Sequence, residues 1–228
     1  MAINLLLLAA FVAVMLLLSF NHGKKQKKII ILGDSITAEA SQPPGFISRL
    51  KKYLASEGLA EKFEVIGAGI PGNKIYDLHL RLDRDVILAN AATAVIYIGT
   101  NDIWHKISTG TGTDADKFEE FYETIIHRLK AAKIEVVICT PAVIGEKTDF
   151  SNQLDAELLQ YSDLIRNIAA TNDLKLVDLR RAFLNYNNEH NLDNQSSGVL
   201  TNDGVHLNEQ GNKLVAEEIW KVVFDTRP

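Results

Sequence analysis

The chain has 228 residues, 46% of them apolar and 23% charged, which suits one well-packed domain and excludes a chain that stays disordered. A net charge of -5, with acids and bases scattered through the body, excludes the basic stripe that a nucleic-acid partner demands. Cys139 is the only cysteine, so an intramolecular disulfide and a thiolate zinc site are excluded and stability must come from packing.

The first element is an uncharged run, INLLLLAAFVAVMLLLSF, at 3–20, followed by Lys24, Lys25, Lys27 and Lys28. As a helix at ~1.5 Å per residue it would reach about 27 Å, close to one hydrocarbon thickness. The expectation is an N-terminal apolar anchor at 1–22, or a cleaved export signal, joined by a basic linker at 23–28 to a domain at 29–226. No Lys or Arg precedes the run and no small-x-small cleavage site follows it, which favours the anchor. The lysine flank would hold the domain on the cytoplasmic side, whereas a signal would export it.

From Lys28 onward, short apolar runs alternate with longer amphipathic ones, the pattern of an α/β domain. Strands are expected at 29–32, 63–66, 94–98, 134–139 and 174–177, several of them unbroken in Val and Ile as strands buried on both faces should be. Helices are expected at 46–56, 75–88, 117–132, 154–170 and 209–224. Right-handed crossovers then place helices on both faces of a five-stranded parallel sheet, with ligands beyond the carboxyl ends of the strands.

Chemistry-bearing residues cluster at those ends. The first strand runs into Gly33, Asp34 and Ser35, where a sharp turn can present a serine hydroxyl and an unpaired N–H, or simply cap a helix. The second runs into GAGIPG, where Gly69 can offer a bare N–H or form an ordinary turn. After the third come Gly99, Thr100, Asn101 and Asp102, where an Asn amide can donate to a developing negative charge. Just before the last helix, TNDGVHL carries Asp203 and His206 three residues apart. A hydroxyl nucleophile needs an imidazole to take its proton, and the imidazole needs a carboxylate to fix its tautomer. His22, His79, His105, His127 and His190 are expected to pack or face solvent.

The blocks GDSIT, a glycine turn, GTND and DGVHL, in that order over about 29–224, resemble the SGNH hydrolases, the GDSL esterase and lipase family. The resemblance implies a flavodoxin-like three-layer α/β/α sandwich. It implies Ser35 as nucleophile, His206 as general base and acid, and Asp203 as the carboxylate that orients it. The N–H groups of Ser35 and Gly69 and the amide of Asn101 would form the oxyanion hole. Gly67 stands where family members often carry Asn, so a loop-holding hydrogen bond is expected to be missing. Asp34 and Asp102 read as structural.

This pattern predicts a serine hydrolase that cleaves carboxylic esters through an acyl-serine, with neither metal nor organic cofactor. The substrate is a small-molecule or lipid ester. Small esters, sugar O-acetyl groups and lysophospholipids all suit the scaffold, and an anchor at 3–20 tilts the choice toward the last. The segments 103–114 and 141–152 are free to shape the pocket, and Trp104 either lines it or packs beside a strand end. Two alternatives stand beside this reading. One is a metal-dependent phosphoesterase using Asp34, Asp102, Asp203 and His206; the other is a non-catalytic binding module on the same fold.

Overall fold

The computed structural model describes residues 26–224; the expected apolar segment and the first half of the basic linker, 23–25, lie outside the described residues. Five strands form one parallel sheet: β1 (Lys27–Gly33), β2 (Phe63–Gly69), β3 (Thr93–Tyr97), β4 (Glu135–Cys139) and β5 (Lys175–Val177). Their order, β2-β1-β3-β4-β5, is that of a flavodoxin-like doubly wound sheet, with the switch in direction between β1 and β3. Gly33 at the end of β1 pairs with Gly69 on one side and Tyr97 on the other, so three strands finish level with one another.

Among the described residues eight α-helices join them: α1 (Ser35–Glu39), α2 (Phe46–Ser56), α3 (Ile75–Leu82), α4 (Thr100–Ser108), α5 (Ala115–Ala131), α6 (Asp155–Asn172), α7 (Leu179–His190) and α8 (Glu209–Val223). The period-2 alternation of the strands divides the core into two layers. Ile29, Ile31, Val95 and Tyr97 pack on one face against residues of α2, α7 and α8, including Leu50, Phe183 and Ile219. Ile30, Leu32, Ala94 and Ile96 pack on the other against α3, α5 and α6, including Leu78, Ile125 and Ile165. Burial on both faces explains why these strands read as continuous apolar runs.

The five expected strands all form, and the helix expected at 46–56 has those bounds. The helix expected at 75–88 stops at Leu82 and widens into a π turn at Asp83–Ile87. The segment 103–114, expected to be free to shape the pocket, is helical as far as Ser108, because α4 starts directly after the Gly99 turn, where φ is +126°. α7 was not anticipated: Leu179 and Phe183 are its only buried large apolar side chains, too few for a period to register. Among the described residues, no helix is long and apolar enough to cross a membrane.

Candidate active site

Ser35 owes its place to the glycine two residues before it. A Cβ at Gly33 would sit 2.2 Å from Thr37 Oγ1 and 2.5 Å from the Tyr97 carbonyl, so only glycine lets the chain turn this tightly into α1. Asp34 then caps that helix, its Oδ1 accepting from the Ile36 N–H at 3.0 Å. Ser35 opens the helix, and its N–H, in the first turn, has no partner within it.

His206 arrives from the other end of the chain. An antiparallel bridge between Thr201 and Leu207 pins the loop before α8, and the Asn202 N–H donates to the His206 carbonyl at 2.8 Å. Asp203 Oδ1 accepts from the N–H groups of Val205 and His206 at 2.9 and 2.7 Å, while Oδ2 lies 2.8 Å from His206 Nδ1. One carboxylate thus folds the turn and orients the ring. Partial burial would raise the Asp203 pKa, but the bonds from His206 and from the two N–H groups outweigh it and hold the carboxyl below its usual range. An ionised carboxylate can only accept, so Nδ1 carries a proton, and in the neutral imidazole it is Nε2 that presents the lone pair. The Ser35 Oγ lies 3.0 Å from that Nε2 across 171 residues of sequence.

Gly69 and Asn101 lie at the same sheet edge. The β1–β2 ladder uses the Ile70 N–H, which donates to the Gly33 carbonyl at 3.2 Å, and leaves the Gly69 N–H outside it. A Cβ at Gly69 would lie 2.2 Å from the Ala38 N–H nitrogen, so α1 rests directly on this glycine's backbone. Asn101 is buried, and its Nδ2 donates one hydrogen to the Asn73 carbonyl at 3.1 Å, leaving the second free. Gly67 is closely packed: a Cβ there would come within 2.7 Å of Ile47 Cδ1 and 2.8 Å of Ser41 Oγ, so those side-chain ends would have to move.

Asp34 and Asp102 are buried and engaged elsewhere. Burial pushes Asp34 up to about 7, with the Asp102 charge adding and the Ile36 N–H and the His206 charge opposing. Asp102 takes the Ile75 N–H on both oxygens, at 3.1 and 3.3 Å, and so ties α4 to the start of α3. Burial raises it to about 6, against the pull of Thr113, the Ile75 N–H and the Lys74 charge. Among the described residues, no three His, Cys, Asp or Glu side chains gather as a metal site would need. His79 packs on Phe121, His105 lies beside Lys74, His190 stacks on Tyr186 and His127 is exposed, so none of these four approaches Ser35.

One residue beyond the sequence expectations supports the loop. Glu146 is fully buried and accepts from the N–H groups of Val199 and Leu200 at 2.8 and 2.9 Å and from Thr201 Oγ1 at 2.5 Å. Thr201 Oγ1 in turn accepts from the Gly204 N–H at 2.9 Å, one residue from Asp203. A cavity of about 280 Å³ adjoins Asp203, walled by Trp104, Ile107, Ile144, Leu154 and Val205. Trp104 is therefore a cavity wall, and the segment 141–152 contributes as expected. A larger cavity of about 470 Å³, bordered by Phe150, Leu159 and Arg180, touches none of the expected site residues.

Comparison with known proteins agrees with this fold. The crystal structure of an acetyl xylan esterase, AlAXEase, superposes with a TM-score of 0.85 at 48% identity, covering 86% of this chain and all of that one. The acetylxylan esterase of Geobacillus stearothermophilus is 25% identical over 86% of this chain and 94% of its own length. An uncharacterized lipoprotein, YqeF, of Bacillus subtilis (strain 168) is 22% identical over 87% of this chain and 90% of its own. Residues 31–214 match the GDSL-like lipase/acylhydrolase family, the esterase family also called the SGNH hydrolases, and the chain belongs to it.

Proposed function

We propose that this protein removes acetyl groups from carbohydrate hydroxyls through an acetyl-serine intermediate. One observation carries the reading: the Ser35 Oγ stands 3.0 Å from a His206 nitrogen whose opposite ring nitrogen faces Asp203 at 2.8 Å. In the first step His206 Nε2 takes the hydroxyl proton as Oγ bonds to the ester carbonyl carbon. The resulting oxyanion is met by the N–H groups of Ser35 and Gly69 and the free hydrogen of Asn101 Nδ2. His206 then returns the proton to the departing sugar oxygen, leaving Ser35 acetylated. A water molecule, deprotonated by the same imidazole, releases acetate and restores the hydroxyl.

The choice of an acetylated sugar is supported by the 48%-identical acetyl xylan esterase, whose whole length this chain covers, and by the modest cavity beside Asp203. The test pairs active-site labelling with a substrate panel. A fluorophosphonate is expected to label the wild-type protein at Ser35, and to label neither the Ser35→Ala nor the His206→Ala variant. Acetylated xylo-oligosaccharides are expected to turn over with a higher kcat/KM than lysophospholipids. No labelling of the wild type would end the serine mechanism. Labelling with a preference for lysophospholipids would keep the mechanism and replace the substrate.

A further inference from the structure

Arg81 lies on the face of α3 that carries Ile75, Leu78 and Leu82 into the core, and it is only 7% exposed. A charged group is seldom buried among apolar neighbours without several directed partners. Its guanidinium has four bonds. Nη2 donates to the Gly33 carbonyl at 2.7 Å, Nη1 to the Ala68 carbonyl at 2.9 Å and to Asp85 Oδ2 at 2.6 Å, and Nε to Asn73 Oδ1 at 2.8 Å. Asp85 balances the charge from the π turn that follows the helix.

Three of these bonds reach the proposed oxyanion donors at one remove. The Ala68 carbonyl belongs to the same planar peptide as the Gly69 N–H, so fixing the oxygen fixes the direction of the hydrogen. The Gly33 carbonyl ends β1 immediately before Asp34 and Ser35, and holding it sets where the turn into α1 begins. Asn73 accepts from Arg81 through its side chain and from Asn101 Nδ2 through its main chain, so Arg81 also sets the height of the Asn101 amide. With glycine at position 67 no side chain from that position can tie this loop, and Arg81 ties it through the Ala68 carbonyl and Asn73.

We infer that Arg81 is a positioning residue that holds the Ser35, Gly69 and Asn101 donors in one rigid arrangement, so that they meet the tetrahedral oxyanion together. The planar fork is what this needs: four acceptors lie in fixed directions around one group, and a lysine ammonium cannot match them. The inference rests on the serine mechanism proposed above. That mechanism is tested first on the wild-type protein by labelling, so its failure is seen before any Arg81 variant is made.

The experiment compares Arg81→Lys and Arg81→Ala with the wild type, using p-nitrophenyl acetate and a boronic acid that forms a tetrahedral adduct on a serine hydroxyl. Removing one oxyanion donor outright typically costs about 10²- to 10³-fold in kcat, and misaligning all three should cost a comparable amount. For Arg81→Lys the expected result is a kcat lower by about 30- to 300-fold per folded molecule, with KM changed less than threefold. Boronate affinity should fall by a similar factor while the product acetate binds as before. Methylguanidinium added to Arg81→Ala should restore part of kcat, and should do nothing for Ser35→Ala. The inference is overturned if kcat per folded molecule stays within threefold of wild type in Arg81→Lys, or if KM and acetate binding deteriorate as much as kcat. Failure of both variants to fold would also overturn it, since Arg81 would then be a stability residue only.

Discussion

Asn101 shows how one side chain is prepared for the oxyanion role proposed for it. Its amide has two hydrogens; the Asn73 carbonyl takes one at 3.1 Å and thereby fixes the plane in which the other points. A donor already oriented loses no rotational freedom when charge develops in front of it, which is why preorganised amides act more strongly than free ones. Asn101→Ala is therefore expected to lower kcat by about 10²- to 10³-fold, equivalent to roughly 2.7–4 kcal/mol in the barrier. Its cost in stability should be that of one lost hydrogen bond, about 1 kcal/mol. Steady-state hydrolysis of p-nitrophenyl acetate beside a urea melt measures both, and a kcat within fivefold of wild type would remove Asn101 from the oxyanion site.

At the scale of an element, the loop before α8 has to carry Asp203 and His206 without a helix or sheet of its own. Glu146 gives it a substitute for a ladder, taking two N–H groups and one hydroxyl from Val199 to Thr201 onto a single buried carboxylate. The neighbouring backbone joins in, with the Gly145 N–H donating to the Gly204 carbonyl at 2.8 Å and the Glu146 N–H to the Ser196 carbonyl at 3.0 Å. Two connections, after β4 and before α8, thus hold each other. In Glu146→Gln an NH₂ group must face donors that a carboxylate oxygen accepted, and a buried unsatisfied group costs about 1–3 kcal/mol. At about 2–4 °C per kcal/mol for a domain of this size, a fall in Tm of roughly 2–12 °C follows. Because the loop carries the imidazole, kcat should fall more steeply than the folded fraction; a variant with lowered Tm but unchanged kcat at 20 °C would show that the brace does not reach His206.

Across the whole molecule, what was legible locally was what a short segment can state. The buried strands advertised themselves as Val and Ile runs, and Ser35, Gly69, Asn101 and the Asp203–His206 pair each follow or precede an element end. Arg81 and Glu146 left no such mark: the Ala68 and Gly33 carbonyls that Arg81 holds lie 13 and 48 residues away and the groups on Glu146 53 to 55, and only the folded chain brings them together. An arginine on the apolar stripe of Ile75, Leu78 and Leu82 was the one available hint. The same folding that gathers the site also buries Asp34, and that has a global consequence. Its carboxyl is raised to about 7 from an ordinary 3.8, so between these values the folded chain holds a proton that the unfolded chain has lost. Stability from this group is complete below about pH 4, declines as pH rises and is fully lost above about pH 7. A shift of about three pKa units corresponds to at most roughly 4 kcal/mol. Asp34→Asn keeps an oxygen for the Ile36 N–H and removes the titration. Relative to wild type, the variant should therefore gain little at pH 4.5 and up to a few kcal/mol at pH 8, as read from urea denaturation midpoints at the two values. A stability difference that stays flat between them would mean that Asp34 does not titrate there, and that its carboxylate is held charged beside Ser35.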